Sequence, residues 1–272
     1  MPSTSLAAPI DAARAFAARL GMRPWRLIHT DPAPGAWNMA VDALLLAAAE
    51  GGADPALRLY AWEPPAVSLG RFQRPDAGIR WEEVRRRGWG AVRRPTGGRA
   101  VLHQHELTYA VILPPDVVAG VGVRPAYAAL AEGLRAALHR LVGRSAAIGC
   151  GPGAPARSAP ANCFARATGA DCTAGDGKVI GSAQVRSRGA LLQHGSLLLD
   201  VDRDAWRALF GDEGVLRSLR ELAGAAVPFA VAAEALIAAF RATWGIALHP
   251  APLSRAEHAA AERAAAHWSL GG

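Results

Sequence analysis

Two side chains in residues 161–200 have the types and spacing to form a nucleophile. Cys163 lies in the segment ANCF, and Lys178 follows 15 residues later in GDGKVIGSAQ. This separation is too long for one helix face, but the two side chains can meet if adjacent elements fold back on each other. An ammonium next to a thiol favours the thiolate, which is the reactive form. The pair therefore predicts acyl transfer through a thioester on Cys163.

Pattern alone leaves other interpretations of these residues open. Cys172 has an equally apolar context and lies closer to Lys178 in the sequence. Cysteines of this kind are usually buried as small hydrophobic residues, and a lysine after GDG fits a solvated hairpin. The chain has 3 cysteines in 272 residues, without metal-ligand spacing. We expect reduced thiols and neither a disulfide framework, a metal nor a cofactor.

A paired-glycine segment, RRPTGGRAVLH at residues 93–103, is a second candidate for a binding role. Gly97 and Gly98 allow positive φ and a close approach of a ligand to the backbone. The flanking arginines could hold a carboxylate or phosphate, although a hairpin turn with surface arginines is the simpler interpretation. The segment matches neither a Walker phosphate loop nor a dinucleotide fingerprint. His103 and His194 have apolar neighbours, which is typical of structural histidines, and we expect the backbone to turn at Gly195.

The elements that must position these residues form an α+β pattern. Strand-like runs lie between residues 57 and 199, and helices flank and follow them, which predicts a mixed or antiparallel central sheet. We predict helices at Asn38–Glu50 with Asn38 as the N-cap, and at 125–141, 205–210, 215–223 and 229–244, with a final helix capped by Ser254. The Gly/Pro-rich residues 149–162 predict a loop that covers a site.

Length and charge limit the remaining classes. We expect residues 1–22 to be an N-terminal extension, with Met22 as an alternative start, and residues 23–272 to be a single catalytic domain with a helical C-terminal part. No stretch is apolar enough to span a membrane, and no secretory signal pattern is present, so we expect a cytoplasmic protein. The net charge of +7 fits a solvated basic surface or a docking face for an acidic carrier protein. Nucleic-acid-binding motifs are missing.

Several segments, in this order, resemble the lipoate–protein ligase and octanoyltransferase superfamily, which is related in fold to biotin ligases. GAWNMAVDALLL is similar to its early helix, SLGRFQ to its second motif, RRPTGGRAVLHQHELTYAVILP to its Gly-Gly motif, and GKVIGSAQ with LLQHGSLLLD to its late motif. The resemblance runs from about Trp25 to Asp200 and implies a biotin/lipoate ligase-like (class II synthetase-like) fold. NCF, GSAQ and QHGS look most like the cysteine-dependent octanoyl-[acyl carrier protein]:protein N-octanoyltransferases of the Gram-positive type.

The resemblance implies roles for individual residues. Cys163 would be the acyl-thioester nucleophile, in preference to Cys172, where the relatives have an apolar strand residue. Lys178 would favour the thiolate and contact the acyl carbonyl. The residues that match the Gly-Gly motif around the acyl pocket are Arg94, Gly97, Gly98 and His103. The residues that match the late motif are Gly181, Ser182, Ala183, Gln184, His194 and Gly195.

The same resemblance implies the reaction and its partners. An octanoyl group would pass from acyl carrier protein to Cys163, and then to a lysine of a lipoyl domain or of glycine cleavage H protein, without ATP. The alternatives are an ATP-dependent lipoate–protein ligase, a lipoyl-protein to lipoyl-protein amidotransferase, and a non-catalytic or nucleic-acid-binding module. The chain departs from the family pattern at Ala43 and at residues 170–175. We expect these departures to affect local geometry and acyl preference rather than the reaction type.

Overall fold

The computed structural model describes residues 7–76, 78–150, 162–165 and 171–271. The described helices are α1 (Ala7–Leu20), α2 (Gly35–Glu50), α3 (Trp81–Arg86), α4 (Pro115–Val118), α5 (Val123–Val142), α6 (Arg203–Phe210), α7 (Leu219–Ala223), α8 (Phe229–Trp244) and α9 (Arg255–Trp268). The described strands are β1 (Trp25–His29), β2 (Ala56–Tyr60), β3 (Ala66–Leu69), β4 (Gly90–Arg93), β5 (Val101–His103), β6 (Glu106–Leu113), β7 (Ile148–Cys150), β8 (Cys172–Ala174), β9 (Gly177–Ser187), β10 (Ala190–Leu198) and β11 (Leu248–Pro250).

The strands form two sheets, and the larger one is mixed. Its 8 strands run in the order β11-β1-β2-β6-β10-β9-β8-β7. β1 pairs in parallel with β11 and β2, while the remaining pairs are antiparallel. A 3-stranded sheet has the order β4-β3-β5. The prediction of an α+β fold with a mixed central sheet is confirmed.

The central strands β2, β6 and β10 of the large sheet are buried on both faces, which explains their nearly continuous apolar sequences. In β6, Leu107, Tyr109 and Val111 belong to one hydrophobic cluster, and Ala110 and Ile112 belong to the other. This alternation follows from the two-residue period of a strand. Helices α1, α5 and α8 cover the first face, whereas α2 and α9 cover the second. The central strands β6 and β10 therefore lie buried between the two hydrophobic clusters.

All of the predicted helices are present, but their predicted boundaries are only partly correct. The predicted helix Phe229–Trp244 is confirmed, and Ser254 caps α9 with a reciprocal capping box. Asn38 is not an N-cap, because α2 already begins at Gly35 after Pro34. The Asn38 side chain instead donates hydrogen bonds to the carbonyls of Ala33 and Ala61, at 3.1 and 3.0 Å. The predicted helix at 215–223 is reduced to α7 because Ser218 caps it.

The N-terminal helix packs against the rest of the molecule. Phe16 and Leu20 are fully buried in the cluster that contains α5 and α8. The indole of Trp25 donates a hydrogen bond of 2.9 Å to the carbonyl of Leu20, which ties α1 to β1. The division into residues 1–22 and 23–272 stays a prediction. Among the described residues, no helix combines the length and apolar character needed to cross a membrane.

The expectation of three reduced cysteines was wrong for two of them. Strands β7 and β8 pair antiparallel at the edge of the large sheet, and their register places Cys150 opposite Cys172. Their Cα atoms are 4.3 Å apart, and the two sulfurs form a disulfide. The cysteines are 22 positions apart in the sequence, so the spacing carried no sign of this pairing. The argument for a cytoplasmic location from reduced thiols therefore fails.

Candidate active site

Cys163 is held at the start of a short 3-10 turn, Cys163–Ala165. Its backbone N–H donates a hydrogen bond of 2.8 Å to the carbonyl of Ala100. The next side chain, Phe164, is fully buried and lies against the edge of Trp206 with a ring separation of 5.4 Å. These contacts fix the turn while the thiol stays partly exposed. Because Cys150 and Cys172 are bonded to each other, Cys163 is the free cysteine.

Lys178 lies on β9 and its side chain is fully buried, so it is not a solvated hairpin lysine. Its Nζ lies 3.6 Å from the sulfur of Cys163. It also donates a hydrogen bond of 2.8 Å to the backbone carbonyl of Cys163. It also forms an ion pair of 2.9 Å with Asp171, whose carboxylate is buried as well. The structure therefore brings the two predicted catalytic residues together and adds a carboxylate.

A pocket lined in part by Cys163 has about 360 Å³ of unfilled space, which includes solvent at its opening. Eight of the predicted site residues line it, namely Arg94, His103, Cys163, Gly181, Ser182, Ala183, His194 and Gly195. The lining residues that are partly exposed are Cys163, Gly181 and Ala183, and we call this group the mouth. Met39, Tyr60 and Trp62 contribute buried apolar surface to the cavity. This mostly apolar lining is suited to contact an apolar chain whose reactive end stays at the mouth.

Four predicted residues do not line this cavity. Lys178 lies behind the mouth, and Gln184 donates its side-chain hydrogen bond to Gln193 on β10. Gly97 and Gly98 form the loop next to Arg94. Gly98 has φ +90°, and a Cβ there would lie 2.8 Å from the guanidinium of Arg94, so a glycine is needed at this position. Gly97 has open space around it.

The guanidinium of Arg94 holds the protein's own loop rather than a free anion site. It is buried and donates to the carbonyls of Ser68, Gly97 and Arg99 at 3.0, 2.8 and 2.7 Å. It also donates to the hydroxyl of Ser68 at 3.0 Å. Burial lowers the pKa of Arg94. Because its donors are engaged in this way, the suggestion that it clamps a carboxylate or phosphate is not supported by the geometry.

The neighbouring run RRRGWGAVRR also organises its own surroundings. Arg86 and Arg87 both pair with Glu83, at 2.7 and 3.2 Å. Arg93 donates to three backbone carbonyls of residues 70–73 at 2.8–3.2 Å. These contacts explain the clustered arginines without an external partner.

His103 and His194 lie on the cavity wall, and each has both ring nitrogens engaged. His103 contacts the Ser68 hydroxyl at 2.8 Å and Glu106 at 2.7 Å, and its ring stacks on Trp62 with centroids 3.8 Å apart. His194 contacts the Thr96 hydroxyl at 2.7 Å and Asp42 at 2.9 Å. Burial lowers the pKa of His194, although the hydrogen bond with Asp42 opposes this shift.

A buried network on α2 and β2 supports His194. The carboxylate of Asp42 contacts Arg58 at 2.7 Å and the hydroxyl of Tyr60 at 2.9 Å. Burial alone would raise the pKa of Asp42, but the hydrogen bond with His194 and the charge of Arg58 hold it below its ordinary value. The network fixes the orientation of His194, because a misplaced imidazole would leave this carboxylate without one partner.

The sequence had indicated a turn at Gly195 in the late motif. The motif lies instead within the paired strands β9 and β10. Ser182 pairs with Gly195, and Ala183 pairs with His194. A Cβ at position 195 would lie 2.6 Å from the carbonyl of Gly181, so Gly195 allows the two strands to approach each other at the cavity. Burial raises the pKa of Tyr109, whose hydroxyl contacts the Ser182 hydroxyl at 2.7 Å, to about 12.

Sequence reasoning missed several residues of the site. Asp171, Asp42 and Glu106 hold Lys178, His194 and His103, respectively. The remaining missed residues of the cavity wall are Met39, Tyr60, Trp62, Ser68, Val101, Thr108 and Ser196. A signal existed for Asp42, which lies in the helix motif GAWNMAVDALLL, but none for Asp171, which lies in the segment that departs from the family pattern.

In the part of the chain that the structure describes, no group of three His, Cys, Asp or Glu side chains could hold a metal ion. Of the predicted covering loop, residues 151–161 lie outside the described residues.

Comparisons with known proteins identify the family of this chain. Residues 34–241 match the family described as lipoyl protein ligase A/B catalytic domain. A protein of Kyrpidia tusciae named Octanoyltransferase LipM is 40% identical over 268 residues, which cover 91% of this chain and 97% of the relative. A protein of Moorella thermoacetica with the same name is 38% identical and covers 90% of this chain and 97% of the relative.

Solved structures agree in fold. A lipoate-protein ligase A bound with ATP superposes with a TM-score of 0.76 at 20% identity, covering 89% of this chain and 94% of that one. The protein Ta0514 of T. acidophilum with bound lipoic acid gives a TM-score of 0.74 at 22% identity, covering 88% and 93%. On the length of the family match and the identity to the curated relatives, the chain belongs to the lipoyl protein ligase A/B catalytic domain family.

Proposed function

We propose that this protein is an octanoyltransferase of protein lipoylation that works through a thioester on Cys163. The observation that carries the proposal is the position of Lys178 Nζ, 3.6 Å from a free thiol at the mouth of a mostly apolar cavity. Relatives that are about 40% identical over most of the chain have the name octanoyltransferase. The cavity would bury the acyl chain, and each CH2 group removed from water contributes about 0.8 kcal/mol.

The reaction has two steps that balance without a cofactor or ATP. The thiolate of Cys163 attacks the carbonyl carbon of octanoyl-acyl carrier protein, so a C–Sγ bond forms and the carrier leaves as a thiolate that takes a proton from solvent. The amine of a lysine on a lipoyl domain or glycine cleavage H protein then attacks the thioester. The C–N bond forms, the C–Sγ bond breaks, and the amine loses one proton to solvent.

The roles of the other residues follow from their contacts. Lys178 stabilises the thiolate before the first step, and the negative charge that develops on the carbonyl oxygen in each step needs a nearby donor. Gly181, Ser182, Ala183 and Gly195 shape the entrance. His103 and His194 form the wall, held by their carboxylates. A cytoplasmic location belongs to the same proposal, because an acyl carrier donor would be available there.

Intact-mass spectrometry tests the proposal. The purified protein is mixed with octanoyl-acyl carrier protein without ATP, and the expected result is an octanoyl adduct on the wild type that disappears in Cys163→Ala. A variant with Cys150→Ala and Cys172→Ala is the matched control and should keep the adduct. Transfer from the adduct to a lipoyl domain completes the test.

Two other results would replace the proposal. ATP-dependent lipoylation by both the wild type and Cys163→Ala, without an adduct, would identify a ligase. An adduct that forms only from an octanoylated lipoyl protein would identify an amidotransferase.

A further inference from the structure

The ammonium of Lys178 has three N–H groups, and three contacts match them. They are the carbonyl of Cys163 at 2.8 Å, the carboxylate of Asp171 at 2.9 Å and the sulfur of Cys163 at 3.6 Å. The side chains of Lys178 and Asp171 are 0% and 1% exposed. In this arrangement, an N–H group can reach a substrate carbonyl only if it leaves one of these three partners.

The partner that changes during the reaction is the sulfur. In the proposed mechanism, the reactive thiolate of Cys163 and the carboxylate of Asp171 both face the ammonium of Lys178 before the first step. Acylation turns the sulfur into a neutral thioester sulfur, which is a weak acceptor. The N–H group that pointed at the sulfur then becomes available to the adjacent thioester oxygen. At this stage the carboxylate of Asp171 remains as a counter-charge for the buried ammonium.

His103 and His194 are poorly suited to take over the role of the Asp171 carboxylate or the Lys178 ammonium. Both ring nitrogens of His103 and of His194 already have partners on the cavity wall. Asp171 is itself held in place, since the backbone N–H of Ser182, between Gly181 and Ala183, donates to its other carboxylate oxygen at 3.3 Å. The carboxylate thus contacts two residues of β9, the Ser182 backbone through one oxygen and the Lys178 ammonium through the other.

Resting on the proposed function, we propose that Asp171 is a positioning residue for the second step. It keeps the Lys178 ammonium charge-balanced and aimed at the mouth after the thiolate has been consumed. When the acceptor amine attacks, the C–N bond forms, and the charge that develops on the thioester oxygen meets an ammonium that is already in place. The C–Sγ bond then breaks, and the thiolate of Cys163 returns to its original partner. A buried ammonium without a counter-charge is strongly disfavoured.

This role predicts an asymmetric effect of Asp171→Asn on the two steps. In the first step, the thiolate itself still holds the ammonium, so octanoylation of Cys163 should change little. In the second step, the acyl-enzyme lacks both anions, so transfer should slow by about 10²-fold, the usual loss for one oxyanion donor. Octanoyl-enzyme should therefore accumulate.

The experiment measures both steps separately by quenched-flow intact mass spectrometry. Octanoylation is followed with octanoyl-acyl carrier protein alone, and transfer is followed by adding an unmodified lipoyl domain to isolated octanoyl-enzyme. Asp171→Glu, which keeps the charge, should recover much of the transfer rate and serves if the Asn variant folds poorly. Asp176→Asn is the matched control, because this side chain is 95% exposed and precedes Lys178 by two positions.

The outcomes separate this inference from the proposed function. Selective slowing of transfer in Asp171→Asn, with recovery in Asp171→Glu, supports the positioning role. Equal slowing of both steps together with a lower Tm would reduce Asp171 to a structural residue and overturn the inference. Unchanged transfer in Asp171→Asn would overturn it as well. Failure of the wild type to form any adduct would overturn the proposed function itself.

Discussion

Replacing Asp42 with asparagine should remove one charge from the buried network behind the cavity with little change of shape. The side chains of Asp42 and Arg58 are both 0% exposed and lie 2.7 Å apart. In Asp42→Asn, the guanidinium stays in the interior without its carboxylate. Breaking one partner of a buried ion pair usually costs about 3–5 kcal/mol, because the remaining charge is not compensated.

The structure places the expected loss at the lower end of this range. Arg58 keeps hydrogen bonds to the carbonyl and side-chain oxygens of Asn38, at 3.0 and 2.6 Å, and to Thr30 at 3.1 Å. Its guanidinium also lies 3.8 Å from the centroid of the Tyr60 ring, which is attractive for a cation. We therefore expect Asp42→Asn to lower the free energy of unfolding by about 3 kcal/mol. At about 2–4 °C per kcal/mol, Tm should fall by about 6–12 °C.

Urea unfolding of four proteins measures this coupling: wild type, Asp42→Asn, Arg58→Met and the double variant. Arg58→Met alone should also destabilise the protein, because Asp42 loses its cation. The double variant should be more stable than the sum of the single losses predicts, since neither charge is then left alone. Strict additivity, or a loss below about 0.5 kcal/mol in Asp42→Asn, would refute the reasoning.

Three further results are expected. Met39 lines the cavity and is 1% exposed, so Met39→Ala should enlarge the cavity. The ratio of kcat/KM for longer over shorter acyl donors should then rise by about fourfold per CH2 group. An unchanged chain-length profile would contradict this. Reducing the Cys150–Cys172 disulfide should cost about 3 kcal/mol for its separation of 22 residues and lower Tm by about 6–12 °C, whereas Cys150→Ala should not respond to reductant. Because the pKa values of His194 and Asp42 are both lowered on folding, the unfolded chain binds protons more readily. Stability should therefore be complete above about pH 6.5 and fall as the pH decreases, first through His194 and below about pH 4 through Asp42; a urea midpoint that stays constant from pH 7 to 4 would exclude this linkage.

The sequence predicted those parts of the fold that depend on local pattern. The helix Phe229–Trp244 has the predicted bounds, because an apolar periodicity and clear boundary residues coincide there. Asn38 was predicted as an N-cap because asparagine is common at that position. Its side chain instead donates hydrogen bonds to two loop carbonyls. Such a role depends on residues that are distant in the sequence.

The candidate site shows the same limit. The meeting of Cys163 and Lys178 could be anticipated from their spacing, but the third partner, Asp171, could not, because a carboxylate in an irregular segment has no local signature. The disulfide between Cys150 and Cys172 depends on the register of β7 against β8, which short strands do not encode in their own pattern. Gly195 was expected at a turn, since glycine is common there, whereas packing between strands requires it.

The mouth at Cys163, Gly181 and Ala183 has a kinetic consequence. An acyl chain that enters there must go in with its methyl end first, so the reactive carbonyl stops next to the sulfur. The donor protein and the acceptor protein then need the same opening and exclude each other. The enzyme should follow a ping-pong scheme with parallel double-reciprocal plots, and each unloaded partner protein should inhibit competitively against the other substrate.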